Sequence, residues 1–323
     1  MCLEGAGDKS SASHRVCDAI SHIYQEQFMK EIAVKDVINA VRNMCIEANL
    51  NLAEDMQRAL DQAAASEKNP LGKKIMGQLK ENLSIAEEDR IPICQDTGMA
   101  VFFVRLGQEV HLDGGLTDAI NEGVRQGYEQ GFLRKSVVGD PLLRINTRDN
   151  TPAIIHYEVV PGDELTITIA PKGFGSENMS RQFMLKPADG IEGVRNAVLT
   201  TVRDAGPNAC PPFVVGVGIG GDFELSAILA KKALTRSLEV RNPLAHIREL
   251  EEDLLKRINA LGIGPAGLGG SVTALGVNIE TYATHIAGLP VAVNMCCHVN
   301  RHKTVRLSAV CHPEVQDDED INN

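Results

Sequence analysis

ICQDTGMAVFFV, residues 93–104, is where the chain changes its hydrophobic period. Upstream, Val34, Val37, Ile38, Val41 and Cys45 recur at the spacing of one buried helix face. From Met99 the continuous apolar run to Val104 reads instead as a buried strand. Residues 30–90 are therefore predicted to be helical, with Asn51 and Glu54 spaced as a capping box and Asn69-Pro70 as an N-cap followed by proline. Beyond the switch, Ile155, Tyr157, Val159 and then Leu165, Ile167, Ile169 alternate on either side of Pro161-Gly162-Asp163, which reads as a hairpin. Helices are expected at about 191–205, 223–236 and 244–261, and strands at about 272–280, 290–295 and 304–310. Segregated helices and strands make the fold class α+β, an N-terminal helical subdomain followed by a mixed α/β region.

The expected organisation is a disordered tail over 1–20 and one domain over 21–312, its helical part about 30–90 and its mixed part about 91–312. An acidic tail over 313–323 carries Asp317-Asp318-Glu319-Asp320. A chain of 323 residues, 43% hydrophobic and 23% charged, is long enough to bury a sizeable core. No apolar run approaches the roughly 20 residues a bilayer requires. Met1 to Arg15 lacks the apolar centre of a secretory signal, so a cytoplasmic location is expected. A net charge of -11 with no basic cluster argues against a nucleic-acid partner. Eight cysteines without paired short spacings suggest reduced thiols, some of them serving a metal.

The opening stretch also carries chemistry. Cys94 is followed by an amide, a carboxylate and a hydroxyl, polar groups that must be satisfied if buried. Two readings fit: a polar turn with an incidental thiol, or a metal ligand beside proton-transfer groups. Cys210, in Asn208-Ala209-Cys210-Pro211-Pro212, and Cys297, in Asn294-Met295-Cys296-Cys297-His298, also lie where a strand meets a loop. The three are too far apart in the chain for a zinc-ribbon or ferredoxin spacing, so spacing alone proves nothing. Gly173-Phe174-Gly175-Ser176 can present backbone N–H groups to an anion. Gly216 to Gly221 matches no nucleotide fingerprint and is expected to form a tight turn.

These segments together resemble the iron-sulfur-dependent class I fumarases and L-tartrate dehydratases, in particular the separate alpha subunit of the two-subunit forms. The resemblance runs from about residue 30 to about 310. It rests on Pro92 to Gly98, Pro171 to Asn178, Ala209 to Pro212 with Gly216 to Gly220, and Gly262 to Gly267, in that order. It implies a 4Fe-4S cluster on Cys94, Cys210 and Cys297, three thiolates leaving one iron free to act as a Lewis acid. Cys297 fits the family pattern better than Cys296 because Asn294 precedes it by three residues and Arg301 follows it by four. The glycine loop 216–221 would then lie under the cluster. Cys2, Cys17, Cys45, Cys296 and Cys311 receive no role.

The resemblance places His285 as an active-site histidine and Arg134 as a clamp for a substrate carboxylate, which suits a planar guanidinium. Asp96 becomes the proton-transfer or orienting carboxylate, Gln95 an uncharged hydrogen-bonding group and Gly175 part of the substrate site. Read alone, Asp96 caps a turn, His285 is a structural histidine, and Arg134 is a surface helix residue. The implied activity is reversible hydration of fumarate to L-malate, a tricarboxylic acid cycle reaction, with L-tartrate dehydration the close alternative. A reading of another class is a non-catalytic iron-sulfur redox sensor. The second region of the single-chain fumarases, bearing further Arg, Thr and Lys groups, is not found here. A separate beta subunit in an α2β2 heterotetramer is therefore expected to supply it.

Overall fold

In a computed structural model, residues 30–308 and 310–311 are described. The expected tails over 1–20 and 313–323, with Cys2 and Cys17, fall outside those residues. In chain order the strands are β1 (Lys30–Ile32), β2 (Met99–Gly107), β3 (His111–Leu112), β4 (Ile154–Val160), β5 (Glu164–Lys172), β6 (Arg181–Leu185), β7 (Phe213–Gly221), β8 (Ala274–Thr284), β9 (Leu289–Cys296), β10 (Lys303–Ser308) and β11 (Val310–Cys311). The helices are α1 (Val34–Leu50), α2 (Glu54–Ser66), α3 (Pro70–Asp89), α4 (Leu116–Gln130), the single turn α5 (Phe174–Glu177), α6 (Gly190–Ala205), α7 (Phe223–Ala233) and α8 (Ala245–Asn259). The fold is α+β, as the sequence predicts, and its first long elements are helices.

Two four-stranded sheets, in the orders β10-β5-β2-β4 and β6-β9-β7-β8, form the framework, with a small sheet β11-β1-β3 at one edge. The predicted hairpin around Pro161-Gly162-Asp163 is not one. Its two strands lie on opposite sides of β2, β4 parallel to it and β5 antiparallel. The most apolar strand, with Ala100, Val101, Phe102 and Val104 all buried, takes the position between them. The connecting turn wraps the end of β2, where Gln108 N donates to Val160 O at 2.8 Å and Glu109 N to Gly162 O at 3.0 Å. Gly107 permits that passage, since a Cβ there would stand 2.3 Å from Gly162 O. Helices α1 and α4 cover this sheet, burying Val37, Val41, Ile120 and Val124 against Phe102 and Ile167.

The expected tight turn over Gly216 to Gly221 is also corrected: these residues are the second half of β7, which runs between β8 and β9. Their glycines let α7 lie directly on the strand. A Cβ at Gly216 would come within 2.1 Å of Ala230 O, and one at Gly218 within 2.0 Å of Ser226 O. Helices α6 and α8 contribute Val198, Val202, Leu254 and Ile258 to the core built on Phe213, Val215 and Val217.

Helices α2 and α3 fill a third core with Leu60, Met76, Val214 and Val299, beside which Cys94 and Cys297 pack. The N-cap at Asn69 forms as predicted, its side chain accepting from Leu71 N at 2.9 Å, with Pro70 in the first turn. The capping box at Asn51 does not, because Ala53 occupies the N-cap of α2 and Asn51 ends α1 instead. No helix among the described residues is long and apolar enough to cross a membrane.

Gly218→Ala should lower stability by about 3 kcal/mol, because the atoms it would strike belong to helix backbone and cannot rotate away. Gly77→Ala, in open space within α3, should raise stability by about 0.5–1 kcal/mol. Thermal unfolding of both variants checks the contrast.

Candidate active site

The Cys94 turn is fastened on every side. Ile93 N donates to Asn49 O at 2.9 Å and Asn82 Nδ2 donates to Ile93 O at 2.9 Å, so the turn leaves the end of α1 at a fixed point. Asp96 Oδ1 accepts from Gly98 N at 3.0 Å, and Oδ2 accepts from Phe174 N at 2.8 Å, the first residue of α5. The Thr97 hydroxyl accepts from Arg134 N at 2.9 Å and donates to Arg134 O at 3.2 Å. Buried Tyr128 directs its hydroxyl at the carbonyls of Thr97 and Gly98, and burial pushes its ionisation well up, so it stays a donor. Gly98 at φ 77 allows contact with Lys172, whose backbone N would be 2.7 Å from a Cβ.

Cys210 ends the 3₁₀ turn Gly206–Ala209 with φ 53, a left-handed conformation that a non-glycine residue adopts only at a cost. Its carbonyl accepts from His298 N at 3.4 Å and faces His298 Nδ1 at 3.2 Å. Burial lowers the His298 pKa, so the ring is neutral and can donate from Nδ1. The glycine segment after α8 backs this loop, with Ala266 N donating to Pro211 O at 3.0 Å. Cys297 emerges half-buried beyond β9, while Cys296 points into the third core.

Cys94 and Cys297 pack beside that core, and the Cys210 loop is tied to the segment after Cys297 by the His298 N to Cys210 O hydrogen bond; all three thiols are free. Among the described residues no three His, Cys, Asp or Glu side chains form a single-ion site. A four-iron cube makes a different demand, one thiolate at each of separate corners. Free, partly exposed thiols on three anchored loops fit that demand.

Beside the thiols, α5 rests on a buried ionic group. Lys172 Nζ lies 3.2 Å from Glu177 Oε2 and donates to Ser176 Oγ at 2.9 Å, while Lys231 of α7 pairs with Glu177 Oε1. Asn294 Nδ2 donates to Glu177 Oε2 at 2.9 Å. Burial opposes the charge on Glu177, but the two lysines and these hydrogen bonds outweigh it and hold the carboxyl below its ordinary range. Gly175 is exposed on the turn so supported, and a Cβ there would face Asn208 O at 3.9 Å, two residues before Cys210.

A cleft of about 520 Å³ opens here, lined by Asp96, Arg134, Ser136, Arg144, Phe174 and Asn178 among others. Asp96 and Arg134 are thus on one wall system, with Gln95 exposed beside Asp96. Arg134 lies in the loop after α4 and not on a helix. His285 stands apart. It is exposed in the turn from β8 to β9, its Nδ1 accepting from Ala287 N at 3.1 Å. Strand β9 alone places roughly 23 Å between that turn and the cysteines.

Sequence reasoning passed over Arg144, Asn178, the Lys172–Glu177–Lys231 group and the burial of Arg301. Arg144, Arg148 and Asn150 all have positive φ, a mark of a constrained loop that their residue types do not announce. Arg301 had served only as a spacing marker.

The chain matches the fumarate hydratase (Fumerase) family over residues 38–306, a span containing all of this geometry. It belongs to this family of hydro-lyases. A Methanocaldococcus jannaschii protein provisionally named L(+)-tartrate dehydratase subunit alpha is 43% identical over 272 residues, covering 81% of this chain and 95% of the relative. The L(+)-tartrate dehydratase subunit alpha of Escherichia coli UTI89 is 34% identical over 284 residues, 87% of this chain and 93% of its own, and that of strain K12 is 32% identical over the same length.

Glu177→Gln should destabilise the protein by on the order of 3 kcal/mol at neutral pH, since it leaves buried Lys172 and largely buried Lys231 facing a neutral amide. The Glu177 pKa is depressed on folding. Its contribution is therefore full above the ordinary carboxylate pKa and is lost as pH falls through the lower folded value. Unfolding curves of wild type and variant measured from pH 7 down to pH 3 should converge in acid.

Proposed function

We propose that this chain is the cluster-bearing alpha subunit of a cytoplasmic class I fumarase, hydrating fumarate reversibly to L-malate. The observation that carries the reading is the cleft that brings the Asp96 carboxylate and the Arg134 guanidinium together beside the Cys94 turn. Cys94, Cys210 and Cys297 would hold the 4Fe-4S cluster, which when bound supplies a Lewis acid for the hydroxyl that is added or lost.

The chain's own residues divide the remaining work. Arg134, which makes no ion pair among the described residues, clamps one substrate carboxylate with its planar fork. Asp96 carries one backbone hydrogen bond on each oxygen, which fixes its plane and leaves lone pairs toward the cleft. It is the group to accept the proton from the carbon next to the clamped carboxylate in dehydration and to return it in hydration. Gln95 and the exposed backbone of Gly175 complete the polar rim without adding charge. His285 acts on the same substrate only where a neighbouring subunit brings it there, because its own turn lies at the far end of β9. A separate beta subunit closes the cleft, and α2β2 is the assembly expected from two-fold pairing.

L-tartrate dehydration is the second reading, favoured by the names of the relatives in Methanocaldococcus jannaschii and Escherichia coli. The clamp and the proton acceptor serve either substrate. A sensor has no use for a carboxylate clamp at the mouth of a cleft.

Anaerobically prepared chain should bind iron and sulfide in equal amounts. Cys94→Ser, Cys210→Ser and Cys297→Ser should each lose most of it, and Cys296→Ser should retain it. Elemental analysis decides the matter; retention in Cys297→Ser with loss in Cys296→Ser would transfer the third ligand to the buried thiol.

The isolated chain should not turn over fumarate, and addition of the beta subunit should restore hydration with a preference over tartrate. Ultraviolet assays of both substrates, with and without the partner, read this out. Tartrate preference would select the second reading, and an inactive complex with a full cluster would favour the sensor.

A further inference from the structure

Two cations line the cleft. Of the residues on its walls, Arg134, Arg144 and Asp96 carry charge, two positive and one negative. Without Arg144 the charges of Arg134 and Asp96 cancel, and the walls as a whole offer a doubly negative acid no net attraction. With it they carry a net positive charge inside a chain whose net charge is -11. The Arg144 side chain makes no hydrogen bond or ion pair among the described residues, whereas Lys135 of the same loop is paired with Glu129 at 3.3 Å. Its backbone, by contrast, is fixed. Arg144 stands near the tip of a closed loop in which Gly139 N donates to Ile145 O at 2.8 Å, Thr147 N donates to Val137 O at 3.0 Å and Val138 pairs with Asn146. Within the tip, Arg144 N donates to Asp140 O at 2.9 Å, and Asp140 Oδ1 accepts from Leu142 N at 2.8 Å and Leu143 N at 2.6 Å. These bonds hold Arg144 at φ 60, a left-handed conformation that glycine adopts freely and arginine only at a cost. An unpaired cation kept on a strained, well-tied backbone at the wall of a cleft is placed for a ligand.

We propose that Arg144 reads the second carboxylate of the substrate, so that the cleft takes dicarboxylates in preference to monocarboxylates of the same length. This rests on the reading that the cleft is the dicarboxylate site. Arg134 clamps the carboxylate beside the proton that Asp96 takes, and Arg144 is the remaining cation on the walls for the other end of the molecule. A partly solvated ion pair is weak, so the residue acts on affinity and on discrimination by charge more than on the chemical step. It serves fumarate and L-tartrate alike, because both are diacids, and it does not decide between them.

The test uses anaerobically loaded complexes of wild type, Arg144→Gln, Arg144→Lys and Arg144→Gly with the beta subunit. Steady-state rates are measured with fumarate and L-tartrate, and inhibition by succinate is compared with inhibition by butyrate, acids of equal length with two carboxylates and one. Arg144→Gln should weaken inhibition by succinate about tenfold or more and change that by butyrate less than about twofold. Its KM should rise by more than its kcat falls. Arg144→Lys, which keeps the charge, should stay close to wild type. Arg144→Gly relaxes the backbone and still lacks the charge, so it should match Arg144→Gln, which separates the charge from the shape of the loop. Equal losses for succinate and butyrate would overturn the proposal by marking a general disturbance of the cleft, as would a fall in kcat with KM unchanged. Unchanged inhibition by succinate in Arg144→Gln would overturn it by marking a solvated surface cation. These results leave the proposed function standing wherever the wild type turns over fumarate or tartrate. A loaded wild-type complex that turns over neither removes that function, and this inference with it.

Discussion

The carboxylate of Asp96 spans two segments that are 78 residues apart in sequence, one oxygen closing its own turn at Gly98 and the other capping α5 at Phe174. That pair of hydrogen bonds sets the distance between the Cys94 turn and the glycine turn that follows β5. Because β2 and β5 are antiparallel neighbours with Met99 opposite Lys172, the sheet register delivers both turns to the same edge before any side chain acts. The carboxylate then fixes their angle. A glutamate in its place would carry the oxygens one methylene too far, and an asparagine would present a donor to a backbone N–H.

Around that contact, charge is arranged unevenly. Lys172, Lys231 and Arg301 bring three positive charges to this region, against the two carboxylates of Glu177 and Asp96. Interiors tolerate such an excess only beside an anion. Under the proposed function the thiolates and a dicarboxylate substrate are both anionic, and both would sit against this floor. Under that reading the surplus would serve both ligand retention and substrate attraction.

Much of this was legible in the sequence. The period change at residues 93–104 located the boundary between helices and sheets, and the three helices and three strands expected after residue 190 appear within a few residues of their predicted ends. What failed was non-local. Pro161-Gly162-Asp163 looks the same whether its strands pair with each other or straddle a third, and only the apolar demand of β2 for two neighbours decides between them. Glycines 216 and 218 read as a turn because a strand pressed against a helix backbone leaves the same composition as a flexible loop. Cys94, Cys210 and Cys297 were named from their surroundings, yet their meeting depends on sheet order that no spacing encodes. The burial of Arg301 between Asn49 and the Asp96 carbonyl was not legible, because burial is a property of the fold and not of the residue.

Choice between a substrate with one hydroxyl and one with two then falls to the cleft wall. A site that hydrogen-bonds a hydroxyl rejects the analogue lacking it by about 10⁴ or more, whereas an apolar site rejects an added hydroxyl by only about 10². Discrimination is therefore cheapest where a polar side chain faces the second carbon. The uncharged polar side chains lining the cleft are Ser136 and Asn178, on separate segments of the chain and both outside the thiol loops. Neither belongs to the cysteine motifs or accepts from or donates to the Asp96 carboxylate. Under the proposed function, that separation would let substrate preference differ between such similar chains without touching the Asp96 contact.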